Sequence, residues 1–192
     1  MSETAPILPE SPLTRLFAAS PENALVAMAP LPLSARLNFR AGDEAAISAL
    51  GEVFGLAMPR KPCTFEANDD AVIVWLGPDE WVLGSSSEEP AALVARVAAA
   101  MKGHPHSLVD VSERSVTFAV TGARAADALN SGCPLDLGDA AFPVGSATRT
   151  VLGKAEILLA RAGDEEYHVD VWRSFAAYVW AYLEEARREF KG

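Results

Sequence analysis

The sequence predicts an α+β fold: two pseudo-repeated strand-helix-strand-strand-helix units, with antiparallel sheet and helices packed on it. Three observations carry this reading. Short alternating runs typical of strands are separated by segments with helical spacing and clear stops. Adjacent strand runs are joined by a tight turn such as Gly77-Pro78-Asp79, which returns the chain antiparallel. The order of elements then occurs twice, over about residues 34–106 and 107–192. Helices that cover one face of an antiparallel sheet make an α+β architecture.

In the first half, "SARLNFR" (34–40) alternates as a strand. "DEAAISALGEVFG" follows, with Ala46, Ile47, Leu50, Val53 and Phe54 near helical spacing and Gly55 as the stop. "AVIVWL" and "EWVLGSS" are two strands around the GPD turn. "SEEPAALVARVAAAMKG" is a helix with Ser87 as its expected cap, Leu93, Val94, Val97 and Met101 on one face, and Gly103 at its end. In the second half, "SLVDV" and "SVTFAVTG" read as strands and "ARAADALNSG" as a short helix with Ala126 and Leu129 turned inward. Three further strands, "ATRTVLG", "AEILLAR" and "EYHVDVW", lead to a last helix from near Ser174 to about Phe190. "FRAGDEAAISAL" parallels "VTGARAADAL", and the strand-turn-strand-helix run from Ala71 parallels the one from Ala155.

Residues 1–33 stand apart, because six of the 13 prolines lie there. Proline fixes φ and removes a donor, so regular structure is mostly excluded. One short helix is expected at "SPLTRLF", capped by Ser11 with Pro12 at its first position. The segment carries too many apolar residues for a solvated linker and is expected to be an ordered arm lying across a partner. Residues 34–192 are expected to form a single domain of the two halves.

Composition narrows the function classes. The formal net charge of −10, with no Lys/Arg-rich run, argues against nucleic acid and anionic membranes as partners and leaves a protein with a basic surface as a candidate. The apolar stretches are too short or too broken to span a bilayer. "MSETAPILPESPL" lacks the basic and apolar regions of a signal peptide, and two distant cysteines, Cys63 and Cys133, imply no disulfide framework. A cytoplasmic location is the expectation.

Candidate chemistry is sparse. His104 and His106 flank Pro105 in a loop, and His168 shares a strand face with Asp170 and Trp172. These are expected to be a loop pair and a surface residue, with no metal site. Ser112 follows Asp110 at a strand end with no histidine assigned nearby. "GPDEWVLG" lies between two strands, where a dinucleotide fingerprint does not belong. Cys133 sits between Gly132 and Pro134 after a short helix, ahead of Leu135 and Leu137, and is expected to be a buried turn thiol. No catalytic, cofactor-binding or metal-binding residue is assigned.

The quoted segments carry a resemblance. The run from "LVDVSERSVTF" through "GCPLDLGDAAFPVG" to "AEILL", then "VDVWRSFAAYVWAYL", resembles the gamma subunit family of heterotetrameric sarcosine oxidase, as do "WLGPDEWVL" and the "SPL" start. The similarity covers nearly the whole chain. More widely, "DVS" at Asp110–Ser112 and the GPDEW turn are similar to the folate-binding aminomethyltransferase superfamily, of which this chain has about half the length. The resemblance implies a non-catalytic structural subunit. Its complex oxidatively demethylates sarcosine to glycine with hydrogen peroxide as product, and transfers the one-carbon unit to tetrahydrofolate or releases it as formaldehyde. It further implies alpha, beta and delta partner subunits, which carry the FAD, FMN, NAD, zinc and tetrahydrofolate. The alternative is a stand-alone folate-binding or one-carbon-transfer protein on the same fold. Leu13, Leu16 and Phe17 of the arm, and Tyr178 and Trp180 of the last helix, are expected at the partner interface. That helix is apolar nearly all round, and large aromatics dominate buried interfaces.

Overall fold

In the computed structural model, which describes residues 11–32 and 35–190, the chain starts with two short elements, helix α1 (Pro12–Ala18) and strand β1 (Ala27–Leu31). Next come β2 (Ala35–Arg40), α2 (Glu44–Phe54), β3 (Phe65–Ala67), β4 (Ala71–Gly77), β5 (Glu80–Ser85), α3 (Pro90–Ala100) and β6 (Ser107–Asp110). The second half is β7 (Ser115–Thr121), α4 (Ala125–Asn130), β8 (Ala147–Leu152), β9 (Ala155–Gly163), β10 (Glu166–Trp172) and α5 (Ala176–Ala186). Short 3-10 turns at Arg173–Phe175 and Arg187–Phe190 flank α5.

Local chemistry explains the ends. Ser11 caps α1 through its hydroxyl, which accepts from the Leu13 amide, and Pro12 takes the first turn. The Asp43 carboxylate accepts from the Ala45 and Ala46 amides, and Gly55 closes α2 in the left-handed region at φ 61°. Hydrogen bonding to His104, then to the Ala45 amide, holds the Asp43 carboxyl below its ordinary value. The expected cap of α3 is displaced. Helix α3 begins at Pro90 with Glu89 as N-cap, while the Ser85 hydroxyl, at the end of β5, accepts from the Ser87 and Glu88 amides and turns the chain. Proline at the first helical position outweighs the serine, because its fixed φ suits a helix start and no donor is lost there.

The repeat is plain in the sheets. Their strand orders are β3-β4-β5-β2-β6 and β8-β9-β10-β7-β1, and every printed pairing is antiparallel. Each strand of the first sheet has its counterpart in the second at the same place. The hairpins agree to the residue: Gly77 pairs with Glu80 and Gly163 with Glu166, each with a register shift beside it. The aromatic residue that follows, Trp81 or Tyr167, is buried under its own helices. Helices α2 and α3 cover one face of the first sheet over Leu37, Phe39, Ile73 and Leu83. Helices α1, α4 and α5 cover one face of the second over Phe118, Val120, Ile157 and Val169. The opposite faces meet through Val74, Ala147 and Ala160 and through the backbone bridge Thr64–Ser146.

The expected boundaries move in two places. Strand β6 pairs with β2, so the first half extends through residue 110. The larger correction concerns the arm. Strand β1 pairs with β7 from Ala27–Thr121 to Leu31–Thr117, taking in the second sheet the place that β6 holds in the first. Leu13, Val26 and Met28 belong to the core of the second half. Arg187, after α5, donates to the carbonyls of Pro21 and Val26 and pairs with Glu184, while the Asn23 amide donates to the Arg187 carbonyl. Arg188 pairs with Glu185. Residues 12–31 thus belong to the second half rather than to a separate arm. A proline does not bar β1 from an edge strand, where one missing donor faces away from the ladder. Residues 1–10 and 33 of the expected arm, and residue 34 that follows it, lie outside the described residues.

Deleting residues 1–32 is therefore expected to unfold much of the second half. Uncovering Leu13, Val26 and Met28 alone removes about 1.5–3 kcal/mol per side chain, against a whole-domain stability of about 5–15 kcal/mol. Urea denaturation followed by tryptophan fluorescence checks this; a truncated chain with an unchanged cooperative midpoint would refute it.

Candidate functional site

One cluster of buried polar residues lies where the two sheets face each other. Alternation along β2 places Leu37 and Phe39 under the helices, so Arg36 and Asn38 turn to the other face. There the Arg36 guanidinium, at 6% side-chain exposure, pairs with Asp170 of β10 at 2.6 Å. It also donates to the Ser115 carbonyl at 3.0 Å and to the Thr117 hydroxyl at 2.6 Å, and that hydroxyl donates to Asp170 at 2.9 Å. A second cross-sheet set joins Asn38, Glu80 and Arg149, with Glu80 accepting from both. Burial pushes the Asp170 carboxyl up, opposed by Arg36 and by the Thr117 and Ser115 hydroxyls.

The cleft between these groups has a volume of about 60 Å³. Ligand pockets start at about 300 Å³. A wider groove of about 490 Å³ runs beside it, lined by Pro30–Pro32, Ser112, Glu113, Arg36 and Thr117. Its arginine and threonine are the groups already bonded to Asp170.

The singled-out residues fall as follows. Cys133 is buried among Leu129, Leu137 and Phe142, with its sulfur 3.8 Å from the Thr150 hydroxyl. The loop around it, 132–143, is held from inside. Arg161, buried, donates to the Phe142 carbonyl and pairs with Asp139, and Tyr167 donates to the Leu137 carbonyl at 3.4 Å. Burial pushes the Tyr167 phenol up, so it stays a donor. Trp81 makes the equivalent bond in the first half, from its indole N–H to the Pro59 carbonyl at 3.0 Å. Gly132 packs against Tyr182: a Cβ there would lie 2.7 Å from its ring, so the ring would have to shift. Asp110 accepts from both the amide and the hydroxyl of Ser112, and that hydroxyl accepts from the Arg36 amide; the DVS sequence is a turn that joins β6 to β7. His104 bonds Asp43, His106 the His104 carbonyl, and His168 Glu166. Among the described residues no three His, Cys, Asp or Glu side chains gather as a metal site.

Two of the expected interface residues lie inside the chain. Trp180 is 2% exposed, edge-on to Phe17 at 6.5 Å and 5.2 Å from Phe118, and Leu13 is 1% exposed. The N-terminal segment of this same chain covers the second side of α5. Leu16 packs partly buried on that core. Phe17 and Tyr178 remain exposed, although the Tyr178 hydroxyl accepts from the Lys154 amide at 3.0 Å. The Arg36–Asp170 pair is what sequence reasoning missed. Its signal was there, polar residues alternating with core residues on two strands, but such a face is ordinarily read as solvated.

Comparison with known proteins decides the family. Residues 39–189 match the model of the "Sarcosine oxidase, gamma subunit family". The chain belongs to this family. It is 30% identical to the sarcosine oxidase subunit gamma of Corynebacterium sp. (strain P-1) over 144 residues, 74% of this chain and 70% of that one, and 29% identical to the Arthrobacter protein of the same name over the same shares. A chain of heterotetrameric sarcosine oxidase from Corynebacterium sp. U-96 superposes with a TM-score of 0.86 at 26% identity, covering 96% of this chain and 97% of that one. The glycine cleavage system aminomethyltransferase T from Bartonella henselae shares the fold at a TM-score of 0.64 and 14% identity, over 90% of this chain and 49% of its own. The expected fold and family resemblance both stand.

Removing one partner of the inter-sheet pair is expected to be costly. Arg36→Met leaves the Asp170 carboxylate buried and unpaired, at a cost of about 3–5 kcal/mol, and Arg36→Met/Asp170→Leu recovers most of it. Equilibrium unfolding of these two variants and of Asp170→Leu checks this; additive losses would contradict the coupling. Gly132→Ala is expected to cost about 1–3 kcal/mol by pushing Tyr182 off the loop, and to cost little in a Tyr182→Ala background. A penalty that persists without the tyrosine would place the strain elsewhere.

Proposed function

We propose that this chain is the gamma subunit of a heterotetrameric sarcosine oxidase and serves it structurally, with no active site of its own. The observation that carries the reading is the end-to-end superposition on a chain of such an enzyme, over 96% of one and 97% of the other. The small inter-sheet cleft supports it, since its arginine, threonine and aspartate are already bonded to one another. In this reading the partners are alpha, beta and delta subunits, and these hold the FAD, FMN, NAD, zinc and tetrahydrofolate. The assembly demethylates sarcosine oxidatively to glycine in the cytoplasm, producing hydrogen peroxide and passing the one-carbon unit to tetrahydrofolate or releasing formaldehyde.

The shared fold with an aminomethyltransferase raises the alternative of a stand-alone folate-binding protein. The two readings separate in one pair of measurements. The tagged chain, co-expressed with the subunits of a sarcosine oxidase, is expected to co-purify with them and with their sarcosine-dependent peroxide production. The chain alone is expected to show no heat of binding on titration with tetrahydrofolate. Saturable folate binding by the isolated chain, with no co-purification, would reverse the assignment.

A further inference from the structure

The two halves are built from the chain in different ways. The first is continuous: its five strands and two helices all lie between residues 35 and 110. The second takes residues 115–190 and adds α1 and β1, a strap that precedes the first half in sequence. The dependence between them runs one way. Strands β2 and β6 pair as far as Leu37–Asp110, and beyond that the Arg36 amide donates to the Ser112 hydroxyl. The folded first half therefore delivers β1 and β7 side by side. Without it, the Leu31–Thr117 pairing closes a loop of 86 positions (117 − 31), at the full entropic cost of that closure. The first half asks for no such help, since all its own pairings lie within residues 35–110.

Two features seat the strap. At Gly122, φ 114°, the backbones come so close that a Cβ would lie 2.5 Å from the Leu25 carbonyl oxygen. That carbonyl accepts from the Arg124 amide at 3.0 Å. The buried Arg187 guanidinium donates to the Val26 carbonyl at 2.9 Å, the Pro21 carbonyl at 2.7 Å and the Ser20 hydroxyl at 3.0 Å. Ser20 donates in turn to Glu184, the carboxylate that pairs with Arg187. Releasing the strap strips a buried cation of three acceptors. The junction between the halves is weaker. Each half closes its own apolar core, and across the junction the buried apolar residues are Val74, Ala147 and Ala160. When the sheets part, Arg36 and Asp170 both return to water, so neither is left buried and unpaired.

We infer that the second half opens as one unit, strap included, while the first half stays folded, and that Arg187 is the clasp governing this opening. The unit is residues 12–31 together with 115–190. This is a property of the free chain, whatever it assembles with.

Hydrogen exchange on the full chain, at rising urea below the unfolding transition, tests it. In wild type the β1, β7 and β10 amides are expected to converge on one opening free energy, and those of β2, β4 and β5 on a higher one. Arg187→Gln is expected to speed exchange in β1, β7 and β10 together by about tenfold or more, as loss of hydrogen bonds to a charged group does. Ile73→Val, in the first core, is expected to speed β2, β4 and β5 by about twofold to tenfold and leave β1, β7 and β10 unchanged. A single free energy for both sets, or an Ile73→Val effect of equal size in both, makes the chain one cooperative unit and overturns the inference. A lower free energy for the first half overturns it as well. Arg187→Gln exchange that rises in β1 alone shows a strap that frays by itself, and no change in any strand removes Arg187 as the clasp; either result overturns it.

Discussion

Strand β7 sets the terms for the second half of the molecule. Residues 115–120 are all buried, yet β7 pairs with β10 along one edge only. Its other edge carries a row of amides and carbonyls that water cannot reach without opening the core, and an unpaired buried backbone group costs as much as a lost hydrogen bond. Strand β1 meets that demand. The rest of the N-terminal segment follows from where β1 must lie. Helix α1 falls against α5, Phe17 closes on Trp180, and Arg187 holds Pro21 and Val26 from below. In the first half the same edge, on β2, is covered by β6 from the chain that follows α3.

The two halves solve one further problem in the same way. Each has a long loop between its first helix and its next strand, and each ties that loop down with the aromatic residue just after the hairpin. The GCPLDLGDAAFP loop is the second half's version of the segment around Pro59. Its cysteine packs in the core with Tyr167, its Gly132 lies against Tyr182, and Arg161 holds its Phe142 carbonyl. Between the halves, the polar inner faces satisfy each other, Arg36 with Asp170 and Glu80 with Asn38 and Arg149.

Much of this was legible in the sequence. Helix α2 announced itself through Asp43, its periodic apolar residues and Gly55, and the hairpins through their turns and strict alternation. The internal repeat was readable because local signals, caps and turns, recur in order. What was not legible depends on distant residues. Strand β1 is five residues long with Pro30 inside it, so propensity argued against it, and only the buried edge of β7 makes it a strand. Strand β3, three residues long, is likewise defined by its pairing with β4. The sequence points Trp180 to an interface because it shows that a helix is apolar on two sides but not what covers the second. The same limit hid the Arg36–Asp170 pair, whose members are 134 positions apart (170 − 36) and meet only once the sheets stack.

The central claim is that β1 is an integral strand of this subunit, independent of any partner. Amide hydrogen exchange on the isolated, full-length chain tests it most directly. The β1 amides that face β7 are predicted to be protected to the same degree as those of β7 and β10, because they open only when that half unfolds. Fast, tail-like exchange in residues 27–31 with β7 still protected, and protection gained only in the assembled complex, would contradict it.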